Sequence, residues 1–341
     1  MVMWEQASDA WSREQWDRTL CEAHDRSVFQ SYGWGEYKRA SGWAPIRWVA
    51  RDPGEEPIAA VQFLVKPVLR GVMVAWAPGG PVTRFPRSSE HDLSDVLASM
   101  REQCGTGGGV SYGRICSYQT GSEVLAHTFG RTFRRPLCRL TSGHTIRLDL
   151  TQTLERLMGR MRAKHRYYVK QSLTERIHWV AGNDPVLVQE LGRLYAEMAG
   201  DKGLNLLPSS AADLARLCDT LREHALVVAG FVEGHAVTAC LVLTFGGKAF
   251  YWRAATGRAG RELSASYAMI YQLLEHLQKL GVAELDFGGI VPRSAAMAGI
   301  NHFKQGFGGE PVQYLGEWEW AHSWWLRWGA NLAIRRRRDQ L

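Results

Sequence analysis

Near the middle of the chain a strand-like run over residues 144–150 leads into Thr151, a residue type suited to capping a helix N-terminus. Around that junction, apolar runs of strand length alternate with amphipathic stretches of helix length, and no other feature limits the fold as strongly. Before it, 46–51, 58–68 and 72–77 read as strands and 11–25, 34–40 and 89–104 as helices. After it, strands are predicted over 226–233, 236–245, 249–255 and 283–287, with helices over 185–199, 210–224 and 264–280. Such alternation predicts mixed α/β layers in both halves. A chain of 341 residues has room for two cores. We therefore place a first domain over 1–147, a second over 148–316 and a tail over 317–341.

The helix following Thr151 carries Leu154, Leu157, Met158, Met161 and Tyr168 at helical spacing, and Arg160, Arg162, Lys164, Arg166 and Lys170 on its other surface. Arg162, Arg166 and Lys170 recur every four residues, a candidate track for the phosphates of a partner; a solvated basic face is the alternative. The formal charge of +7 leans the same way. The tail holds five of the 14 tryptophans and carries Arg335 to Arg338 in succession. One reading is a packed C-terminal helix with Ala321, Trp325, Trp328 and Leu332 on its inner face. The other is an interfacial helix making weak contact with a membrane surface.

Composition, 45% hydrophobic and 22% charged, is that of a globular protein and excludes collagen-like and disordered classes. The acidic start (Glu5, Asp9) and the lack of a 20-residue apolar run predict a cytoplasmic protein. Six scattered cysteines form no C-x-x-C pair, so no metal site is expected, and they read as reduced thiols. Cys138, among Arg134, Arg135 and Arg139, is read as a small buried residue in preference to an activated thiol. There is no P-loop, no dinucleotide fingerprint, no H-E-x-x-H and no G-x-S-x-G elbow. Gly105 to Gly109 follows a helix and reads as a turn.

An ordered series of motifs carries more. Phe29-Gln30-Ser31 precedes Trp34 and Lys38; Trp76-Ala77-Pro78-Gly79-Gly80-Pro81 follows; then Leu148-Asp149-Leu150 with its basic helix, and Phe250-Tyr251-Trp252-Arg253. Leu285-Asp286-Phe287-Gly288-Gly289 comes next, and Asn301-His302-Phe303-Lys304-Gln305-Gly306-Phe307-Gly308-Gly309 closes the series. In order and separation the set resembles the Fem family of aminoacyl-tRNA-dependent transferases over nearly the whole chain.

The resemblance implies two tandem acyltransferase domains of the GNAT type, with a C-terminal helix packing back on the first. No heptad hairpin interrupts the second half, so the shorter FemX architecture is implied. The activity implied is transfer of an amino acid from aminoacyl-tRNA, a co-substrate needing no separate cofactor, to an amine. The acceptor is a muramyl-peptide precursor or a small amine-bearing metabolite such as an antibiotic, and the enzyme is expected to act as a monomer.

Residue by residue, the resemblance places Lys304 at the reaction centre in an electrostatic role and Phe303 against the tRNA acceptor end. It places Lys38 on acceptor phosphates, and Tyr251, with Arg253 beside it, along the same channel. Trp34 is a further substrate-side candidate whose other reading is structural. Asp286 ends a strand near Lys304 and is the candidate to receive the amine proton; its other reading is a turn cap. The chain departs from the family's Arg-x-x-x-Tyr-type phosphate-binding element, for 206–214 reads Leu-Leu-Pro-Ser-Ser-Ala-Ala-Asp-Leu. Two alternatives stay open: an acyl-CoA-dependent N-acyltransferase of the same fold, and a non-catalytic RNA- or membrane-surface-binding protein. Against the first, residues 256–264 lack the glycine signature that cradles the CoA pyrophosphate.

Overall fold

The computed structural model describes residues 2–7, 11–69, 71–86, 91–202, 211–292 and 294–338. Its strands are β1 (Trp4–Gln6), β2 (Ala44–Arg51), β3 (Pro57–Leu69), β4 (Val72–Pro78), β5 (Tyr112–Thr120) and β6 (His144–Asp149). They continue as β7 (His178–Gly182), β8 (Ala225–Val232), β9 (His235–Phe245), β10 (Lys248–Thr256), β11 (Glu284–Asp286) and β12 (Glu310–Ala321). The helices are α1 (Arg13–Cys21), α2 (Tyr32–Arg39), α3 (Leu93–Met100), α4 (Glu123–Thr132), α5 (Leu154–Arg160) and α6 (Ala163–Thr174). After them come α7 (Pro185–Lys202), α8 (Ala211–Leu221), α9 (Arg258–Glu262), α10 (Ala265–Lys279), α11 (Ala298–Gln305) and α12 (Trp324–Arg338). These elements form two compact units, Met1–Gly143 with Gln313–Gln340, and His144–Val312.

In the first unit the strands lie in the order β1-β2-β3-β4-β5-β12, antiparallel except where β4 runs beside β5. The apolar start of β3 is buried from Pro57 to Val65, as expected for a strand covered on both faces. Ile58, Val61 and Phe63 pack with Leu97 and Met100 of α3, Phe129 of α4, and Trp318 and Trp320 of β12. A Cβ on Gly113 would stand 2.0 Å from the Trp320 ring, so glycine alone lets that indole lie against β5.

Two of the sequence motifs are one packing unit here. Ser31 caps α2 by accepting from the Trp34 N–H. The amide of Gln30 donates to Gln62 O and Pro78 O and accepts the Gln62 N–H at 2.6 Å. Cβ atoms on Gly79 and Gly80 would collide with Ser27 and Gln30, which explains the glycine pair.

The tail differs from its expected packing. Residues 317–321 are strand, and Trp318 and Trp320 are buried there. Trp325, Trp328 and Leu332 do share a helical face, but Trp325 and Trp328 are exposed on it. The inward face instead presents Asn331 and Arg327. Asn331 joins a buried network in which Arg114 donates to Glu317, Glu319, Asn331 Oδ1 and Cys138 O, while Arg327 donates to Glu319 at 2.7 Å. A fully partnered polar network competes successfully with apolar burial because every charge in it is matched.

In the second unit the order is β6-β11-β10-β9-β8-β7, antiparallel except for the parallel pair β10–β11. The unit opens at His144, ahead of the boundary drawn at 148, because β6 pairs along its length with β11. Leu273, Leu274 and Leu277 of α10 pack with Leu157, Met161, Val169, Phe287 and Phe307. The single basic helix expected after Thr151 is two helices. Met161 ends α5 in an extended conformation and Arg162 starts α6, so the basic track is broken at its first residue. The departure from the family over 206–214 falls mostly outside the described residues.

Candidate active site

The second unit gathers the late motifs at one end of the β10–β11 pair. Asp286 closes β11 opposite Phe250 of β10 and Arg147 of β6. Its Oδ1 accepts from the Thr145 hydroxyl and from the Gly288 N–H at 2.8 Å, and its Oδ2 from Arg147 Nε at 3.2 Å. Both oxygens therefore carry donors. This carboxylate pins the Gly288-Gly289 turn, the arrangement of the turn-cap reading. Gly288 has φ +69°, a conformation that disfavours any side chain.

The loop after that turn is held to α11 by Asn301, whose buried amide accepts the Val291 N–H at 3.1 Å and donates to Val291 O at 2.7 Å. That clamp carries Lys304 back over the turn. Its Nζ donates to Gly289 O at 2.9 Å and to Gly288 O at 3.4 Å. Burial lowers the Lys304 ammonium from 10.5 to about 8, partly opposed by the Asp286 charge. Two of its three N–H groups are engaged by carbonyls, and the third is available to an oxyanion.

Phe303 is half-buried in an aromatic cluster, its ring centroid 5.3 Å from Tyr267 and 5.0 Å from Phe307. Its carbonyl meets Nε2 of the buried His165 at 3.1 Å, which requires that nitrogen to carry the proton. Burial lowers the His165 pKa, favouring the neutral ring. A Cβ on Gly306 would lie 1.9 Å from that ring, and one on Gly308 2.5 Å from Arg160 O, which accounts for two motif glycines. Nothing in the sequence reading marked His165, Arg147 or Thr145.

The remaining candidates divide. Tyr251 packs on Phe287 at 5.6 Å, and burial raises its phenol well above the ordinary value. Arg253 follows a bulge in β10 and lies over Trp252; burial raises the Tyr195 phenol, and the Arg253 charge offsets part of that rise. Its buried Nε has no hydrogen-bond partner among the described residues. Arg162 stays with the group, its Nη1 3.0 Å from Nδ1 of His302. Arg166 does not: its guanidinium donates to Gly159 O and Met161 O, capping α5. Lys170 is exposed two turns further along α6. In the first unit, Lys38 Nζ lies 4.7 Å from the Trp34 and Tyr37 ring centroids. Trp34 itself is 1% exposed, so it supports Lys38 from below and cannot meet a substrate directly. Among the described residues no cluster of His, Cys, Asp and Glu could hold a metal ion.

The motif glycines, Asn301 and Lys304 thus belong to one structural device, and its sequence has a family counterpart: residues 211–333 match the model of the FemAB family. The Fem resemblance holds. The fold is similar to the crystal structure of FemX, with TM-score 0.83 over 96% of this chain and 100% of that one at 15% identity. It is also similar to the C-terminal domain of a putative lysylphosphatidylglycerol synthetase from Agrobacterium fabrum (TM-score 0.56, 13% identity, 93% and 95% covered). A tandem GNAT protein from the clavulanic acid biosynthesis pathway gives TM-score 0.55 at 13% identity, with 94% and 98% covered. The chain therefore has a Fem-like tandem acyltransferase fold. No curated protein matches it by sequence. No described helix is long and apolar enough to cross a membrane.

Proposed function

We propose that this protein transfers an amino acid from aminoacyl-tRNA to an amine acceptor and forms an amide bond. The acceptor amine adds to the ester carbonyl, the carbonyl oxygen becomes an oxyanion, and the bond to the tRNA 3′-terminal oxygen then breaks. The proton lost by the amine ends on that leaving oxygen. The observation that carries the reading is the Lys304 ammonium, aimed by the Asn301-clamped loop and desolvated on the Gly288-Gly289 carbonyls. A cation fixed before the reaction and shielded from water stabilises an oxyanion at little reorganisation cost. Phe303 supplies an aromatic surface for the acceptor end of tRNA, and Arg162 a guanidinium for its backbone. Lys38, Tyr251 and Arg253 are assigned to substrate binding. The FemAB match favours a muramyl-peptide precursor as acceptor; an amine-bearing small metabolite is the second choice.

The acyl-CoA alternative meets a specific obstacle. The N-terminus of α9, where a pyrophosphate would seek backbone N–H groups, already holds the Glu197 carboxylate, which accepts the Arg258 N–H at 2.8 Å. A second anion there would be repelled.

The test is transfer of radiolabel from a mixed pool of charged tRNAs to UDP-linked muramyl pentapeptide and, separately, to an extract of small amines. Ribonuclease-sensitive labelling that Lys304→Ala abolishes, with the fold intact by circular dichroism, is expected. Labelling from acyl-CoA instead, or full transfer by Lys304→Ala, overturns the proposal.

A further inference from the structure

Helix α12 is built inside out. An amphipathic helix on a globular protein turns its apolar stripe to the core. Here the inward face carries Arg327 and Asn331, tied into the Arg114 network. Trp324, Trp325 and Trp328 face out at 65%, 66% and 58% exposure. The Trp324 and Trp325 rings stack on each other with centroids 3.8 Å apart, leaving their outer surfaces bare. Three indoles exposed to this degree present roughly 400 Å² of aromatic surface, the size at which an exposed patch signals an interaction site. The polar anchoring makes this orientation the packed state of the helix, because reversing it would bury Arg335 and Arg336 and strip Glu319 of its Arg327 partner.

Charge and position identify what meets this face. Trp325, Trp328, Leu332 and Arg336 fall at i, i+3, i+7 and i+11, one stripe of the helix. From Ala321 to Arg338 there is no acidic residue, and the segment ends in four arginines. The end of β3 adds to the same end of the sheet: Ala321 pairs with Tyr112, and Val74 pairs with Tyr112 from the other side. Leu69, 72% exposed, and Val68, 50% exposed, therefore lie at the same end of this sheet as the start of α12, on a strand three places from β12. Indoles beside arginines along a line, with further exposed apolar residues at the same end of the sheet, match a planar anionic surface. Tryptophan prefers the headgroup region and arginine the lipid phosphates.

We propose that α12, with Val68 and Leu69 at the end of β3, docks this protein on an anionic lipid bilayer, the helix lying in the plane of the headgroups. The proposal does not depend on the transfer reaction above. It is tested with full-length protein and vesicles of phosphatidylcholine alone or mixed with phosphatidylglycerol. Sedimentation should show binding to the anionic vesicles at low salt, falling as salt rises and weak on pure phosphatidylcholine. The triple substitution Trp324→Ser, Trp325→Ser and Trp328→Ser, and separately Arg335→Glu with Arg336→Glu, should each weaken binding at least tenfold. The triple tryptophan variant should keep the wild-type melting temperature, since all three side chains are exposed. Brominated lipids should quench a component of tryptophan fluorescence that the triple variant lacks. The proposal is overturned by absent binding to anionic vesicles or by unchanged binding of the triple variant. Self-association through the tryptophan face without vesicle binding overturns it as well, and so does a loss of stability in the triple variant.

Discussion

Lys304 carries a cost that can be measured apart from catalysis. Lowering its pKa from 10.5 to about 8 corresponds to about 3 kcal/mol against the charged form in the folded protein. Because the folded value lies below the unfolded one, the native state binds fewer protons between pH 8 and 10.5, and stability should rise with pH across that window. Below pH 8 the penalty is fully present. Lys304→Met removes it, and also removes hydrogen bonds to the Gly288 and Gly289 carbonyls, each worth about 1 kcal/mol. The net expectation is a gain of about 1–2 kcal/mol at pH 7, a rise in melting temperature of about 2–8 °C. The gain should shrink as pH climbs from 8 to 10.5, where the wild-type lysine sheds its charge, while transfer is lost at every pH. Calorimetry of both proteins at pH 7 and pH 10 decides this. A variant less stable than wild type by the same amount at both pH values would refute the desolvated-ammonium account, whatever its activity.

Two further outcomes follow from geometry. Gly306→Ala puts a methyl group into the His165 ring, so stability should fall by about 1–3 kcal/mol and transfer should fall with it as the Phe303-Lys304 turn shifts; wild-type melting and activity would contradict the packing described. Arg166→Ala should destabilise the protein without altering the salt dependence of tRNA binding, whereas Arg162→Ala should reduce the slope of log K against log salt by about 1. Equal slopes for the two variants would remove Arg162 from the tRNA contact.

Long apolar runs made β3 and β9 legible, because both are buried along most of their length and need no partner to be recognised. Strand β5 was not: Tyr112 to Thr120 places Arg114 in the core, and the glutamates that make this tolerable lie some 200 positions later in the chain. Helical spacing correctly grouped Trp325, Trp328 and Leu332 on one face. Periodicity tells which residues share a face and nothing of which way it points; that was decided by Asn331 and Arg327 meeting a network assembled from distant segments. At the candidate site the motif residues Lys304 and Asp286 were visible. His165 was not, since its partner, the Phe303 carbonyl, is a backbone atom 138 positions away and leaves no mark on residue type.

The first unit is discontinuous, closed by β12 and α12 after the whole of His144–Val312 has intervened. Synthesis runs from the N-terminus, so the order in which parts become available is fixed. At roughly 5–20 residues per second, Arg114 leaves the ribosome about 10–40 s before Glu317, which lies 203 residues on. Until then its guanidinium has no buried counter-charge, and β5 is a sheet edge awaiting a strand. The contiguous second unit has every one of its own strands in hand first. The nascent protein should thus acquire the half bearing Lys304 while the half bearing Lys38 is still open, and its exposed β5 edge is where a chaperone or a neighbouring nascent chain would find purchase.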